Sequence, residues 1–205
     1  MNTWINKTEY PFTPKTFSLP MGTMRYLDEG SGKPFVMVHG NPSWSFEFRH
    51  LIKAFAPTHR CIAPDHIGFG LSDKLADWGY LPQQQAENLE TLLEALDLHD
   101  ITLIFSDWGG PLALSYALNH PERVQNIIIT NSWLWSVRRD WYYQGFSGFM
   151  GGPIGRFLIR RYNFFAGTML KSIYGDKSNL TPEIHRHYLL PLDKQVVRTI
   201  DRTGG

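Results

Sequence analysis

Cysteine is nearly absent. Cys61 stands alone, so no disulfide forms within the chain, and its setting Arg60-Cys61-Ile62-Ala63 reads as a buried strand rather than a reactive thiol. An excess of either charge is missing too: 20 Lys+Arg against 19 Asp+Glu leave a net charge of +1. That balance excludes the long-range field that gathers nucleic acid or an anionic membrane surface. No apolar run approaches the roughly 18 residues of a membrane span, and the opening Met1-Asn2-Thr3-Trp4-Ile5-Asn6-Lys7 lacks the apolar stretch of a secretion signal. The expectation is a cytoplasmic protein with neither nucleic acid nor membrane as partner, its oligomeric state left open. Repeats and low-complexity tracts are also lacking. What is there, 42% hydrophobic against 19% charged residues over 205 positions, suffices for a real core.

Short β-type runs alternate with helix-type stretches, the pattern of an α/β fold with a mostly parallel sheet. The chain opens with a ribbon, 15–19 against 23–27, across the turn Pro20-Met21-Gly22. Phe35-Val36-Met37-Val38 is an unbroken apolar run, as in a strand covered on both faces, and it leads into His39-Gly40-Asn41-Pro42. A helix is predicted over 46–55 and a strand over 60–63. The loop Pro64-Asp65-His66-Ile67-Gly68-Phe69-Gly70 follows, its glycines permitting close turns. Ala86, Leu89, Leu92, Leu93 and Leu96 recur at helical spacing over 82–96. A strand over 101–105 then delivers Asp107, followed by a small-residue helix over 109–119 and a strand over 124–130. After Asn131 the composition turns aromatic, with Trp133, Trp135, Trp141, Tyr142, Tyr143 and Phe146 close together, and 133–205 reads as a helical insertion over the sheet.

In an open parallel sheet, ligands bind at the carboxyl ends of the strands, where Asn41, Asp107 and Trp108 fall. Phe105-Ser106-Asp107-Trp108-Gly109 has the form of a sharp strand-to-helix turn that lifts a nucleophile above the sheet. Gly109 and Gly110 let the helix approach closely, whereas Phe105, two positions before the apex, is large for such a turn and predicts a wider or rotated one. A carboxylate at the apex is ionised at neutral pH. It can therefore displace a leaving group at saturated carbon without a base, forming an ester that activated water must then hydrolyse. The backbone N–H groups of Asn41 and Trp108 are placed to stabilise the oxyanion of that second step. Simpler readings stand beside these: Asp107 as a helix N-cap, Trp108 as a core aromatic, Asn41 as an Asx turn before Pro42, and the aromatic run as packing.

His39-Gly40-Asn41-Pro42, the segment from Pro64 to Asp73, and Ser106-Asp107-Trp108-Gly109-Gly110-Pro111 together resemble the haloalkane dehalogenases of the α/β-hydrolase superfamily. The resemblance implies an α/β-hydrolase fold with residues 1–132 as the N-terminal part of the core and 133–205 as a helical cap. It implies Asp107 as nucleophile, with the Asn41 side chain and the Trp108 indole holding the departing halide. The partners it implies are a small apolar substrate, a haloalkane or similar molecule, and a halide ion; no cofactor and no metal are expected. N–H dipoles without full positive charge suit that role, since they stabilise a developing halide without trapping it. Asn131 stands where one branch of the family carries its acidic residue as Glu.

In such hydrolases an acid and then a late His follow the nucleophile along the chain, and the segment 180–202 resembles the end of the family's cap. The expectation is a C-terminally incomplete chain that lacks the base and its acid, forming an ester without turning over. Of the eight histidines, His39 reads as structural and His66 as locally hydrogen-bonded. His50, His59, His99 and His120 read as solvated, and His185 and His187 are the two candidates to overhang the site. Three alternatives stay open. They are a β-lactone decarboxylase of olefin biosynthesis, an epoxide hydrolase using tyrosines among Tyr142, Tyr143, Tyr162, Tyr174 and Tyr188, and a non-catalytic homologue that binds a ligand or partner.

Overall fold

Alternation along two central strands builds two cores. In β3 (Pro34–Val38) and β5 (Ile101–Ser106), Val36, Val38, Leu103 and Phe105 pack on one face and Met37 and Ile104 on the other, and all are buried. The first set meets Leu89, Leu92 and Leu93 of α2 (Pro82–Ala95) and Tyr116 of α3 (Gly109–Asn119). The second meets Tyr10, Phe46 and Ile52, the last on α1 (Arg49–Phe55). Strands covered on both faces need apolar residues throughout, which is why neither strand alternates with polar residues. A computed structural model describes residues 4–133, 135–136 and 139–192.

The sheet has six strands in the order β1-β2-β4-β3-β5-β6. β1 (Lys15–Leu19) and β2 (Gly22–Glu29) form the antiparallel ribbon, and β2 joins β4 (Arg60–Asp65) antiparallel; β3, β4, β5 and β6 (Val124–Thr130) run parallel. β4 extends past the expected residue 63 because β2 runs on beside it, pairing Tyr26 with Pro64 and Arg25 with Asp65. The helix expected over 46–55 is a 3-10 turn, Ser45–Phe48, followed by α1. Its tighter start fits the bond from the Glu47 N–H to the Trp44 carbonyl at 2.9 Å, while the Ser45 N–H is taken by Asp65 Oδ1 at 2.8 Å.

The aromatic region is helical, as α4 (Trp141–Gly151), α5 (Pro153–Tyr162), α6 (Leu170–Ile173) and α7 (Pro182–Leu189). Asp140 caps α4 by accepting the N–H of Tyr142 and Tyr143, and Thr181 caps α7 by accepting that of Ile184. The sequence leaves this run open between packing and contact with an apolar substrate. Trp135, Trp141, Tyr142 and Tyr143 are exposed, and Trp133 alone of the tryptophans in the run turns back, edge-on to Trp108 with ring centroids 5.2 Å apart. α7 is the element that ties this region down: His187 stacks on Phe46 at 4.4 Å and its carbonyl accepts the Trp44 indole N–H at 2.8 Å. No helix among the described residues is long and apolar enough to cross a membrane. The segment 193–205 lies outside the described residues, and with it the end, 193–202, of the stretch 180–202 compared with a cap's end.

Candidate active site

β5 ends at Ser106, and the chain turns at once into α3. The turn forces Asp107 to φ 48°, the left-handed region that costs a side-chain-bearing residue of order 1 kcal/mol or more and persists where surroundings over-determine it. The surroundings are visible. The Asp107 N–H donates to the Asn131 carbonyl at 3.1 Å, and the Ser132 hydroxyl donates to the Asp107 carbonyl at 2.8 Å. A Cβ on Gly109 would fall 2.1 Å from the Val38 carbonyl oxygen, and one on Gly110 would fall 2.0 Å from Ser132 Oγ. Both glycines are required for the close approach of helix to strand, as their sequence position implies. Phe105 is accommodated by full burial in the core under α3.

The carboxyl group of Asp107 receives two backbone donors. The Asn41 N–H reaches Oδ1 at 2.8 Å, and the Trp108 N–H also donates to the group. Burial outweighs these two bonds and holds Asp107 above the ordinary carboxylate range. Asn41 is delivered by the end of β3 through a cis peptide to Pro42.

Behind it, His39 is buried and neutral, its ionisation pushed down to about 4 by burial. Its Nδ1 lies 2.8 Å from the Gly40 carbonyl and its Nε2 accepts the His66 N–H at 3.1 Å. His39 is structural, as expected. His66 differs from expectation: its ring is buried, yet neither ring nitrogen has a hydrogen-bond partner among the described residues.

The glycine loop is fixed by Asp65, which accepts Ser45 and Leu71 N–H groups at 2.8 Å each and is raised to about 6 by burial. Gly70, at φ 49°, passes so close that a Cβ there would lie 2.3 Å from Asp65 Oδ2.

Asn41, Asp107 and Asn131 meet in one cavity of about 1030 Å³, walled by Pro42, Ser43, Glu47 and Ser106 on one side and by Leu170, Ile173, Tyr174, Ile184 and Tyr188 on the other. Trp108 is not among the lining residues; its indole, 43% exposed, lies against Trp133. Of the tyrosines considered as ring-oxygen donors, Tyr174 and Tyr188 line the cavity, and Tyr142, Tyr143 and Tyr162 are exposed.

His185 and His187 do not overhang the site. Both are buried, with His185 Nε2 at 2.6 Å from the Ala166 carbonyl and His187 Nε2 accepting the Asn6 N–H at 3.0 Å. Among the eight histidines the cavity is lined by His50, at its exposed rim. His120, expected in solvent, is part-buried and sits 2.7 Å from Glu90, stacked on Tyr116. With Glu94 it forms a cluster of metal-ligand type on α2 and the end of α3, outside the cavity lining. Cys61 is buried in the core and its thiol is raised to about 11 by burial, as its strand setting implies.

Sequence reading missed Glu47. It lines the cavity beside Asp107, and its Oε1 accepts the Ser106 hydroxyl at 2.6 Å. The signal was a lone carboxylate inside the apolar stretch Trp44-Ser45-Phe46-Glu47-Phe48, which an amphipathic helix would have turned outward and the 3-10 turn turns inward.

The α/β-hydrolase fold family matches residues 33–188, and the chain belongs to that family. Haloalkane dehalogenase 2 of Mycobacterium tuberculosis is 33% identical over 179 residues, covering 87% of this chain and 62% of the relative. A cis-3-alkyl-4-alkyloxetan-2-one decarboxylase of Shewanella oneidensis is 46% identical over 128 residues, 61% of this chain and 40% of the relative. One from Xanthomonas campestris is 35% identical over 207 residues, 90% and 65%. Among solved structures, the haloalkane dehalogenase DbeA of Bradyrhizobium elkani superposes with a TM-score of 0.82 at 25% identity over 94% of this chain and 68% of that one. A reconstructed ancestral haloalkane dehalogenase gives a TM-score of 0.81 at 26% identity, over 93% and 68%. The chain thus spans less than two thirds of the length of the curated relatives it matches.

Proposed function

We propose that Asp107 is the nucleophile of a haloalkane dehalogenase-type reaction. Its carboxylate attacks the carbon bearing halogen, the carbon–halogen bond breaks with its electron pair leaving on the halide, and an alkyl ester of Asp107 results. The observation that carries this reading is the seating of the carboxyl group of Asp107 on the backbone N–H groups of Asn41 and Trp108, at the apex of a strained turn that opens into a cavity. Donors that hold a carboxylate in the resting state are the donors an oxyanion needs when water attacks the ester. The Asn41 side chain, at the cavity wall, is the halide-binding amide, and the Trp108 indole is its partner once it turns from Trp133. Helices α4 to α7 serve as the cap that shields a small apolar substrate. The hydrolytic base is a histidine that the described residues do not bring to Asp107.

Intact-mass analysis after incubation with 1-bromohexane, with released bromide measured in parallel, tests the assignment. A stoichiometric adduct, absent in Asp107→Ala, is the expected result. No adduct on folded protein at any pH refutes it.

The higher identity, 46% over 128 residues, to an oxetanone decarboxylase favours a second reading. Here Asp107 opens a strained β-lactone ring at its saturated carbon, forming an ester and freeing the ring carboxylate. Loss of CO₂ then drives out Asp107 as the alkene forms, and no water is activated. Release of CO₂ and alkene from a cis-β-lactone, without bromide release from bromoalkane, selects this reading. The epoxide-hydrolase reading has less support, because Tyr142, Tyr143 and Tyr162 are exposed and lie outside the cavity lining.

A further inference from the structure

The cavity holds a second carboxyl that the chemistry above does not use. Glu47 enters it from the 3-10 turn after β3, and Asp107 enters from the end of β5; Ser106 joins them, its hydroxyl donating to Glu47 Oε1 at 2.6 Å one residue before the nucleophile. We propose that Glu47 is a positioning residue for Asp107: it anchors the strand end through Ser106, and its carboxyl is coupled to that of Asp107 across the cavity. The inference rests on the reading of Asp107 as nucleophile.

The surroundings leave Glu47 to interact with Asp107. The Ser43 hydroxyl also lies near enough to favour its charged form. Arg49, two residues along, directs its guanidinium to Glu9 at 3.1 Å and to the Phe46 carbonyl at 3.1 Å, and no cation is hydrogen-bonded to Glu47 among the described residues. His50 stands at the exposed rim. From α7, Tyr188 faces Glu47 as a neutral phenol, its ionisation pushed far up by burial and then by Glu47. Burial raises Glu47 above the ordinary range, the Ser106 and Ser43 hydroxyls oppose that, and the charge of Asp107 adds to it. Two carboxyls sharing a site cannot both ionise freely, and they titrate as a pair.

Glu47→Gln removes the charge while keeping an oxygen to accept Ser106, and Glu47→Leu removes both. The probe is 1-bromohexane, read as the rate of Asp107 adduct formation against pH in the whole chain. In wild type the rate rises as Asp107 ionises. At higher pH a second inflection marks the ionisation of Glu47 beside Asp107, and in Glu47→Gln it is lost because that charge is gone. In Glu47→Leu the plateau rate also falls, about tenfold, as the strand end loses its anchor. A merely structural residue lowers stability and contributes no second inflection, so an inflection that persists in folded Glu47→Gln overturns the proposal. The Glu47 carboxyl carbon, followed by NMR across pH in wild type and Asp107→Asn, is an independent arm that needs no alkylation. Its midpoint falls in Asp107→Asn if the two are coupled, and an unchanged midpoint refutes the coupling. Should wild type give no adduct, the nucleophile assignment fails while this arm still decides between coupled and independent carboxyls.

Discussion

Gly40 and Asp107 stand so close that a methyl group on Gly40 would lie 2.4 Å from Cβ and 2.5 Å from Oδ1 of Asp107. The loop after β3 and the turn after β5 are thus fitted to each other at van der Waals contact, and the bond from Asn41 to Asp107 depends on that fit. Gly40→Ala must push the two apart. Adduct formation with a bromoalkane is expected to fall about a hundredfold, the cost of misplacing a reacting group by about an ångström. Overpacking is expected to lower stability by about 1–3 kcal/mol. Gly145 of α4, which has nothing within 4 Å of its built Cβ, is the control: Gly145→Ala stabilises by about 0.5–1 kcal/mol through helix propensity. A Gly40→Ala protein that reacts at the wild-type rate shows that the contact does not position Asp107.

His66 and His39 predict how stability depends on pH. Their rings pack 4.4 Å apart, both buried. Burial holds His39 down to about 4 and His66 well below its ordinary value, with the neighbouring His39 lowering it further. A histidine whose folded value lies below its unfolded value of about 6.5 contributes stability that is present above that pH and lost as pH falls toward the folded value. Thermal melts should therefore fall steeply between about pH 6.5 and 4, with His39 alone contributing on the order of 3 kcal/mol to the loss. His66→Leu removes two buried nitrogens without partners, so the melt at neutral pH should rise by a few degrees, about 1 kcal/mol, and the acid slope should lessen. An equal slope in His66→Leu would falsify the assignment of that titration to His66.

The sequence made the fold legible wherever one period governed. β3 and the middle of β5 are apolar runs, α2 opens on Pro82 and α3 closes before His120-Pro121, so these elements lie where pattern places them. Asp107, Asn41 and the two glycines after Trp108 were also legible, because a strained turn demands particular residue types at fixed spacing. Legibility failed where the deciding partner is distant in sequence. Glu47 faces inward only because Asp65, on β4, takes the Ser45 N–H and the chain begins as a 3-10 turn. Likewise, the rings of His185 and His187 are spent on Ala166 and Asn6, contacts that no local pattern announces. The aromatic run was not legible for a related reason: its density of aromatics fits packing and substrate contact alike, and four of its residues are exposed.

β6 is where the sheet meets solvent. Its register sets Ile127 and Ile129 beside Leu103 and Phe105, and Ile128 beside Ile104, so the strand is apolar on both faces. Yet Ile127, Ile128 and Ile129 are 43%, 45% and 45% exposed, and β6 is the last strand of the sheet among the described residues. An apolar edge strand with one unpaired row of backbone groups is a template for adding another strand, and lysine on such a strand blunts that tendency. The chain should therefore self-associate as concentration rises, read by light scattering during sedimentation. Ile128→Lys should reduce that association while leaving the melting temperature within about 2 °C, since a side chain nearly half in water contributes little packing. A Lys variant that melts many degrees lower would mean that another part of the protein covers Ile128 in solution. One that associates as wild type does would place the association elsewhere, with the exposed Trp141 and Tyr142 of α4 as the next residues to change.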